Sequence, residues 1–213
     1  MKLENTVISF LGDSITEGHG TTASNKVFHQ RIKEKYGLKH AYNYGIGGTR
    51  IARQIVPSKD CTRYDLTFEL RSAVMDKHAD AIVVFGGTND YGHGDAPFGR
   101  LDSEDKYTFC GAVNSLIKSL KENFAGAKLI FMTPLHRQGE TKPSTPDSKI
   151  LEDYVNAILS ICKNHNVPVI DLFNINPLDP ADANLVPDGL HPSDKGHAIM
   201  AEVIAEELLK LNI

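Results

Sequence analysis

Five short apolar runs, at residues 6–11, 41–44, 81–85, 128–132 and 167–172, recur along this chain, separated by segments of helical period. Nothing else in the sequence constrains the fold as tightly. The runs are near-continuously apolar rather than alternating, as strands covered on both faces must be. Strands that alternate with helices build parallel βαβ units rather than a meander. The expected fold class is therefore α/β, with a central five-stranded parallel sheet.

The helices are expected at 25–36, 68–77, 105–123, 148–165 and 193–211. In the first, Phe28, Ile32 and Tyr36 share a face and Gly37 supplies a C-terminal stop. Val113, Leu116, Ile117 and Leu120 form the core stripe of the third, and Ile199, Val203, Ile204 and Leu208 that of the last. No repeat, low-complexity tract or linker divides the 213 residues, so one domain over 1–213 is expected.

The composition sets limits on partners. A net charge of −4 gives no basic footprint for nucleic acid. No window approaches the ~18 continuous apolar residues of a membrane span, so stable membrane insertion is not expected. Met1-Lys-Leu-Glu-Asn5 has no apolar signal region, and Cys61, Cys110 and Cys162 have neither metal spacing nor a paired framework. Both observations favour a cytoplasmic setting with reduced thiols. Oligomeric state leaves no mark in the sequence.

Chemistry gathers at the strand ends. In Val7-Ile-Ser-Phe-Leu-Gly-Asp-Ser-Ile-Thr16 the first strand stops at Gly12-Asp13-Ser14, which places a serine on the edge where open α/β sheets bind ligands. A serine hydroxyl needs a base, and the base needs an orienting partner. Asp188-Gly-Leu-His191 offers both just before the last helix, although an isolated pair at this spacing is ordinarily a local turn. An acyl-transfer oxyanion also needs donors. Asn43-Tyr-Gly-Ile-Gly-Gly48 follows the second strand and Gly86-Gly-Thr-Asn89-Asp90 the third, one offering backbone N–H groups and the other a side-chain amide. On the residues alone, Gly45, Gly47 and Gly48 are all open as the backbone donor.

Together these motifs resemble the SGNH hydrolase superfamily, the GDSL esterases and lipases, from residue 7 to residue 192. The resemblance implies Ser14 as nucleophile, with Asp188 and His191 completing a catalytic triad. It also implies an oxyanion hole of Ser14 N–H, Gly48 N–H and the Asn89 amide. A three-layer α/β/α sandwich related to flavodoxin-like folds goes with it, and no cofactor or metal. The implied reaction is hydrolysis of carboxylic esters through an acyl-enzyme. Short acyl chains, such as acetyl esters of carbohydrates, are the expected substrates.

Three other readings remain. One is a lysophospholipase or thioesterase; another is a ligand-binding protein without turnover, although every reacting group is intact. A dinucleotide-binding protein is disfavoured because Tyr44-Gly-Ile-Gly-Gly-Thr49 lacks the third glycine of G-x-G-x-x-G. Gly12-Asp-Ser-Ile-Thr16 also lacks the second glycine of the G-x-S-x-G elbow, which separates the chain from α/β-hydrolases.

The loops at 92–99 and 136–146 leave strand ends, so His93 and Arg137 are candidate substrate contacts. His136 and His197 are further histidines within reach of that edge. No H-x-x-x-H or H-E-x-x-H motif suggests a metal. Asp90 is expected to brace its turn rather than react.

Overall fold

The computed structural model describes residues 3–59 and 61–212. Met1 and Lys2, part of the N-terminal segment read above, lie outside the described residues. Five parallel strands form one sheet: β1 (Val7–Gly12), β2 (His40–Gly45), β3 (Ala81–Phe85), β4 (Lys128–Met132) and β5 (Val169–Ile170). Their order is β2-β1-β3-β4-β5. This flavodoxin-like order reverses direction at β1, so the crevice between the carboxyl ends of β1 and β3 is the topological switch point. Gly12 pairs with Gly45 on one side and with Phe85 on the other, which sets three loops side by side.

Eight helices complete the described chain: α1 (Ser14–Glu17), α2 (Phe28–Tyr36), α3 (Phe68–Ser72), α4 (Thr88–His93), α5 (Phe109–Asn123), α6 (Leu151–Asn164), α7 (Leu172–Ile175) and α8 (Asp194–Lys210). The pleat of β3 shows how they are layered. Ile82 and Val84 enter a core shared with α3, α5 and α6. Ala81, Val83 and Phe85 face the opposite core, built with α2 and α8. The result is the expected three-layer α/β/α sandwich. Among the described residues no helix is long and apolar enough to cross a membrane.

Several element ends differ from the sequence reading, each for a local reason. The helix expected from residue 25 starts at Phe28, because Val27 is extended and only a single 3₁₀ turn precedes it. The helix expected to reach 77 stops at Ser72; the Asp76 N–H is taken by the Tyr44 hydroxyl instead of a helical carbonyl. Thr108 caps α5 by accepting the Gly111 N–H, which leaves Asp105 in the preceding turn. Ile150 is extended, so α6 begins at Leu151. The run at 167–172 contributes only two ladder residues, since Pro168 has no N–H to donate and Asp171 caps α7.

The stripe of α8 also shifts. Met200, Ile204 and Leu208 line the core, whereas Ile199 is 37% exposed. Ala201 and Ala205 widen the buried face, so the inward stripe is centred one position later than the largest side chains suggest.

Candidate active site

β1 ends in a tight turn that presents Ser14. A side chain at Gly12 would overlap Thr16, so the strand can fold directly into α1 only with glycine there. Asp13 caps α1 and accepts the Ile15 N–H at 3.1 Å. Its carboxyl is buried, and burial pushes its pKa up to about 6 despite the Ile15 bond and the nearby Arg71 guanidinium.

The turn before α8 brings the other two groups to Ser14. His191 Nε2 lies 2.9 Å from Ser14 Oγ, and His191 Nδ1 lies 2.7 Å from Asp188 Oδ2. With Nδ1–H donating to the carboxylate, Nε2 is left to accept the serine proton. Asp188 also accepts the backbone N–H groups of Leu190 at 3.0 Å and His191 at 2.7 Å. Partial burial pushes its pKa up, but these three bonds outweigh that and hold it at about 2. Asp188 is therefore ionised throughout the neutral range.

The groups expected as oxyanion donors stand on the neighbouring loops. Gly48 has φ +75°, and a side chain there would overlap the Tyr64 ring. The N–H groups of Ser14 and Gly48 make no hydrogen bond among the described residues. Asn89, in the first turn of α4, donates one amide hydrogen to the Thr49 carbonyl at 3.0 Å and keeps the other free. Asp90 accepts Ile51 N–H at 3.0 Å and Ala52 N–H at 2.9 Å, so it braces the loop that follows Gly48 rather than its own turn, because its carboxylate points to two free N–H groups there. Full burial pushes Asp90 up to about 6.

Ser14, Gly48, Asn89 and His191 share a pocket of about 300 Å³ with Glu17, His19, Gly47, Cys61, Arg63, Tyr64 and Leu190. A larger groove of about 510 Å³ lies at the opposite, amino-terminal edge of the sheet. It is mostly apolar and contains no nucleophile–base pair. Among the described residues no group of three or more His, Cys, Asp or Glu is arranged to hold a metal ion.

Arg137 and His93 are not among the pocket-lining residues. The Arg137 guanidinium donates to the Thr88 carbonyl at 3.1 Å and lies over the Tyr91 ring, so it clamps α4 from outside. His93 faces Tyr64 from the exposed end of α4. His136 is turned away toward Glu140, at 2.6 Å, and toward Phe173. His197 is fully buried behind α2, where its Nδ1 accepts the Phe28 N–H at 3.3 Å.

One supporting residue carried no sequence signal. Arg71 is buried under the glycine loop and donates to the carbonyls of Gly12, Tyr44 and Leu66 and to Thr49 Oγ1. It ties together the carboxyl ends of β1 and β2. Glu17 and His19 were more accessible to the eye, lying only three and five positions beyond Ser14.

The fold and site define an α/β protein with a hydrogen-bonded Asp–His–Ser chain at its switch point. Residues 10–199 match the GDSL-like lipase/acylhydrolase family, and the chain belongs to that family. An acetylxylan esterase of Xylanibacter ruminicola is 25% identical over 222 residues, covering 93% of this chain and 42% of that protein. The chain thus spans less than half the length of that relative. One solved structure is 32% identical over 99% of both chains, with a TM-score of 0.87. The crystal structure of a possible lipase from Chitinophaga pinensis is 26% identical, covering 97% of this chain and 99% of that one, with a TM-score of 0.75.

Proposed function

We propose that this protein is a serine esterase acting on short acyl esters, in particular acetyl esters of carbohydrates. The observation that carries this reading is the continuous chain Asp188–His191–Ser14, with links of 2.7 and 2.9 Å. Ser14 Oγ attacks the ester carbonyl while its proton passes to His191 Nε2, and Asp188 stabilises the imidazolium. The carbonyl oxygen becomes an oxyanion held by the N–H groups of Ser14 and Gly48 and by Asn89. As the tetrahedral carbon collapses, the carbon–oxygen bond to the alcohol breaks and His191 protonates the leaving oxygen. Water then attacks the acyl-enzyme, gives its proton to His191, and releases the acid and Ser14.

The substrate class rests on the small size of the pocket, on the charged and hydroxyl side chains in its lining, and on the relative that is an acetylxylan esterase. A pocket of about 300 Å³ lined by Glu17, His19, Arg63 and Tyr64 suits a polar alcohol and a small acyl group better than a long alkyl chain.

Hydrolysis of p-nitrophenyl esters from acetate to octanoate, with acetylated xylan beside them, tests the reading on wild type and Ser14→Ala. Serine-dependent turnover that falls with chain length and releases acetate from the xylan is expected. Equal turnover in Ser14→Ala would remove Ser14 as nucleophile. A rate that rises toward octanoate would point instead to a lipid acyl hydrolase.

A further inference from the structure

We propose that Glu17 is a positioning residue of the oxyanion hole, locking the Gly47–Gly48 turn to the helix that carries Ser14. This rests on the hydrolase reading above. Glu17 ends the same four-residue helix that Ser14 begins. Its Oε2 accepts the Gly47 N–H at 2.6 Å, and its Oε1 accepts from Arg63 Nη2 at 2.6 Å. One carboxylate thus joins the helix that carries Ser14, the glycine turn and the Arg63–Tyr64 segment that lines the pocket.

The surrounding packing makes this link effective. A side chain at Gly45 would overlap the Glu17 backbone, so the end of β2 rests directly on α1. Asn43 Nδ2 adds a long contact to the Glu17 carbonyl at 3.4 Å. On the other side of the turn, the Tyr64 ring occupies the space a side chain at Gly48 would need, and Tyr64 follows Arg63 in the chain. The turn is therefore gripped on both sides of the peptide that carries the Gly48 N–H. Glycines have wide backbone freedom, and two in succession need such a grip if a donor is to be preorganised.

Burial pushes the Glu17 carboxyl up, but the bonds from Arg63 and Gly47 outweigh this and hold it below its ordinary range. His19 Nε2, 3.4 Å from Oε2, adds a cation when protonated. The group is thus an anion near neutral pH, and a charged acceptor makes the stronger hydrogen bond to Gly47.

Glu17→Ala and Glu17→Gln are compared with wild type on p-nitrophenyl acetate, with active sites counted by a p-nitrophenyl alkylphosphonate that phosphonylates Ser14. In Glu17→Ala, kcat per titrated site should fall about 10- to 100-fold with KM changed less than about threefold, and phosphonylation should slow in parallel. Glu17→Gln retains an acceptor for Gly47 and should recover most of the loss. A Glu17→Ala enzyme with fewer titratable sites but full kcat per site would show a merely structural role and overturn the proposal. So would a glutamine variant as impaired as alanine. Wild type that neither hydrolyses the ester nor takes the phosphonate would overturn the hydrolase reading itself, and this inference with it.

Discussion

Asn89 Nδ2 donates to the Thr49 carbonyl at 3.0 Å, which fixes the amide plane and leaves its second hydrogen for the pocket. The acceptor directly follows Gly48, so the side-chain donor and the backbone donor are set by one loop. Asn89→Ala should lower kcat by ~10²–10³ with a modest change in KM, because the lost bond matters most once charge develops on the carbonyl oxygen. Asn89→Asp should be worse than alanine, since a carboxylate opposes both the oxyanion and the Thr49 carbonyl. Steady-state kinetics on p-nitrophenyl acetate decide the point; full kcat in the alanine variant would remove Asn89 from the hole.

Gly48→Ala combines two penalties. The backbone at φ +75° disfavours any L side chain by roughly 1–2 kcal/mol, and the new methyl group would meet the Tyr64 ring. Urea unfolding of Gly48→Ala alone and with Tyr64→Ala separates them. The double variant should recover the steric part and retain the backbone part. Additive losses would mean that Tyr64 yields easily and that the strain is all in the backbone.

The sheet and its layers were legible in the sequence because strands buried on both faces are written as apolar blocks. The blocks at 81–85 and 128–132 match β3 and β4 end for end. Ser14, Asp188, His191, Gly48 and Asn89 were legible because each stands in a short motif at a strand end or before the last helix. The geometry brings Ser14, Gly48, Asn89 and His191 into one pocket, with Asp188 bonded behind His191. Helix starts were less legible, since they depend on which distant groups accept the first free N–H groups: the Pro97 and Phe98 carbonyls take those of Phe109 and Cys110, and the Glu140 carbonyl takes that of Leu151. Arg71 was invisible for a deeper reason. Three of its four partners are carbonyls, two of them from the ends of β1 and β2, and a backbone acceptor has no residue identity to read. Arg137 was read as a substrate contact from its place after β4; the structure shows what the sequence could not, that its guanidinium bonds Thr88 and lies over Tyr91.

Asp90 stands beside Asn89 but serves the loop across from it. Asp90→Ala would leave the buried N–H groups of Ile51 and Ala52 without acceptors, at about 1–3 kcal/mol each. Thermal unfolding should show a large loss of stability. Asp90→Asn retains one acceptor oxygen and should lose less. Equal stability of wild type and Asp90→Ala would mean that the loop finds other acceptors.

Four buried groups make stability respond to acid in opposite senses. Burial holds His29 and His197 at about 4, against an ordinary value of 6.5. Below pH 6.5 the unfolded chain therefore binds protons that the folded chain refuses, and stability falls until about pH 4. Asp13 and Asp90, raised to about 6 from 3.8, do the reverse. The folded chain takes up their protons first, so stability rises as pH falls from about 6 to 3.8. Each shift exceeds two pH units and corresponds to roughly 3 kcal/mol, so the pairs nearly cancel across this window. These four groups should thus contribute almost no net slope of their own between pH 6 and 4. Asp90→Asn removes one compensating term and should lose about 2 kcal/mol more than wild type over that interval. His29→Gln removes an opposing one and should gain stability on acidification. Urea unfolding at pH 7, 5.5 and 4.5 reads the slopes directly; parallel curves for all three proteins would show that these groups titrate alike in the folded and unfolded chains.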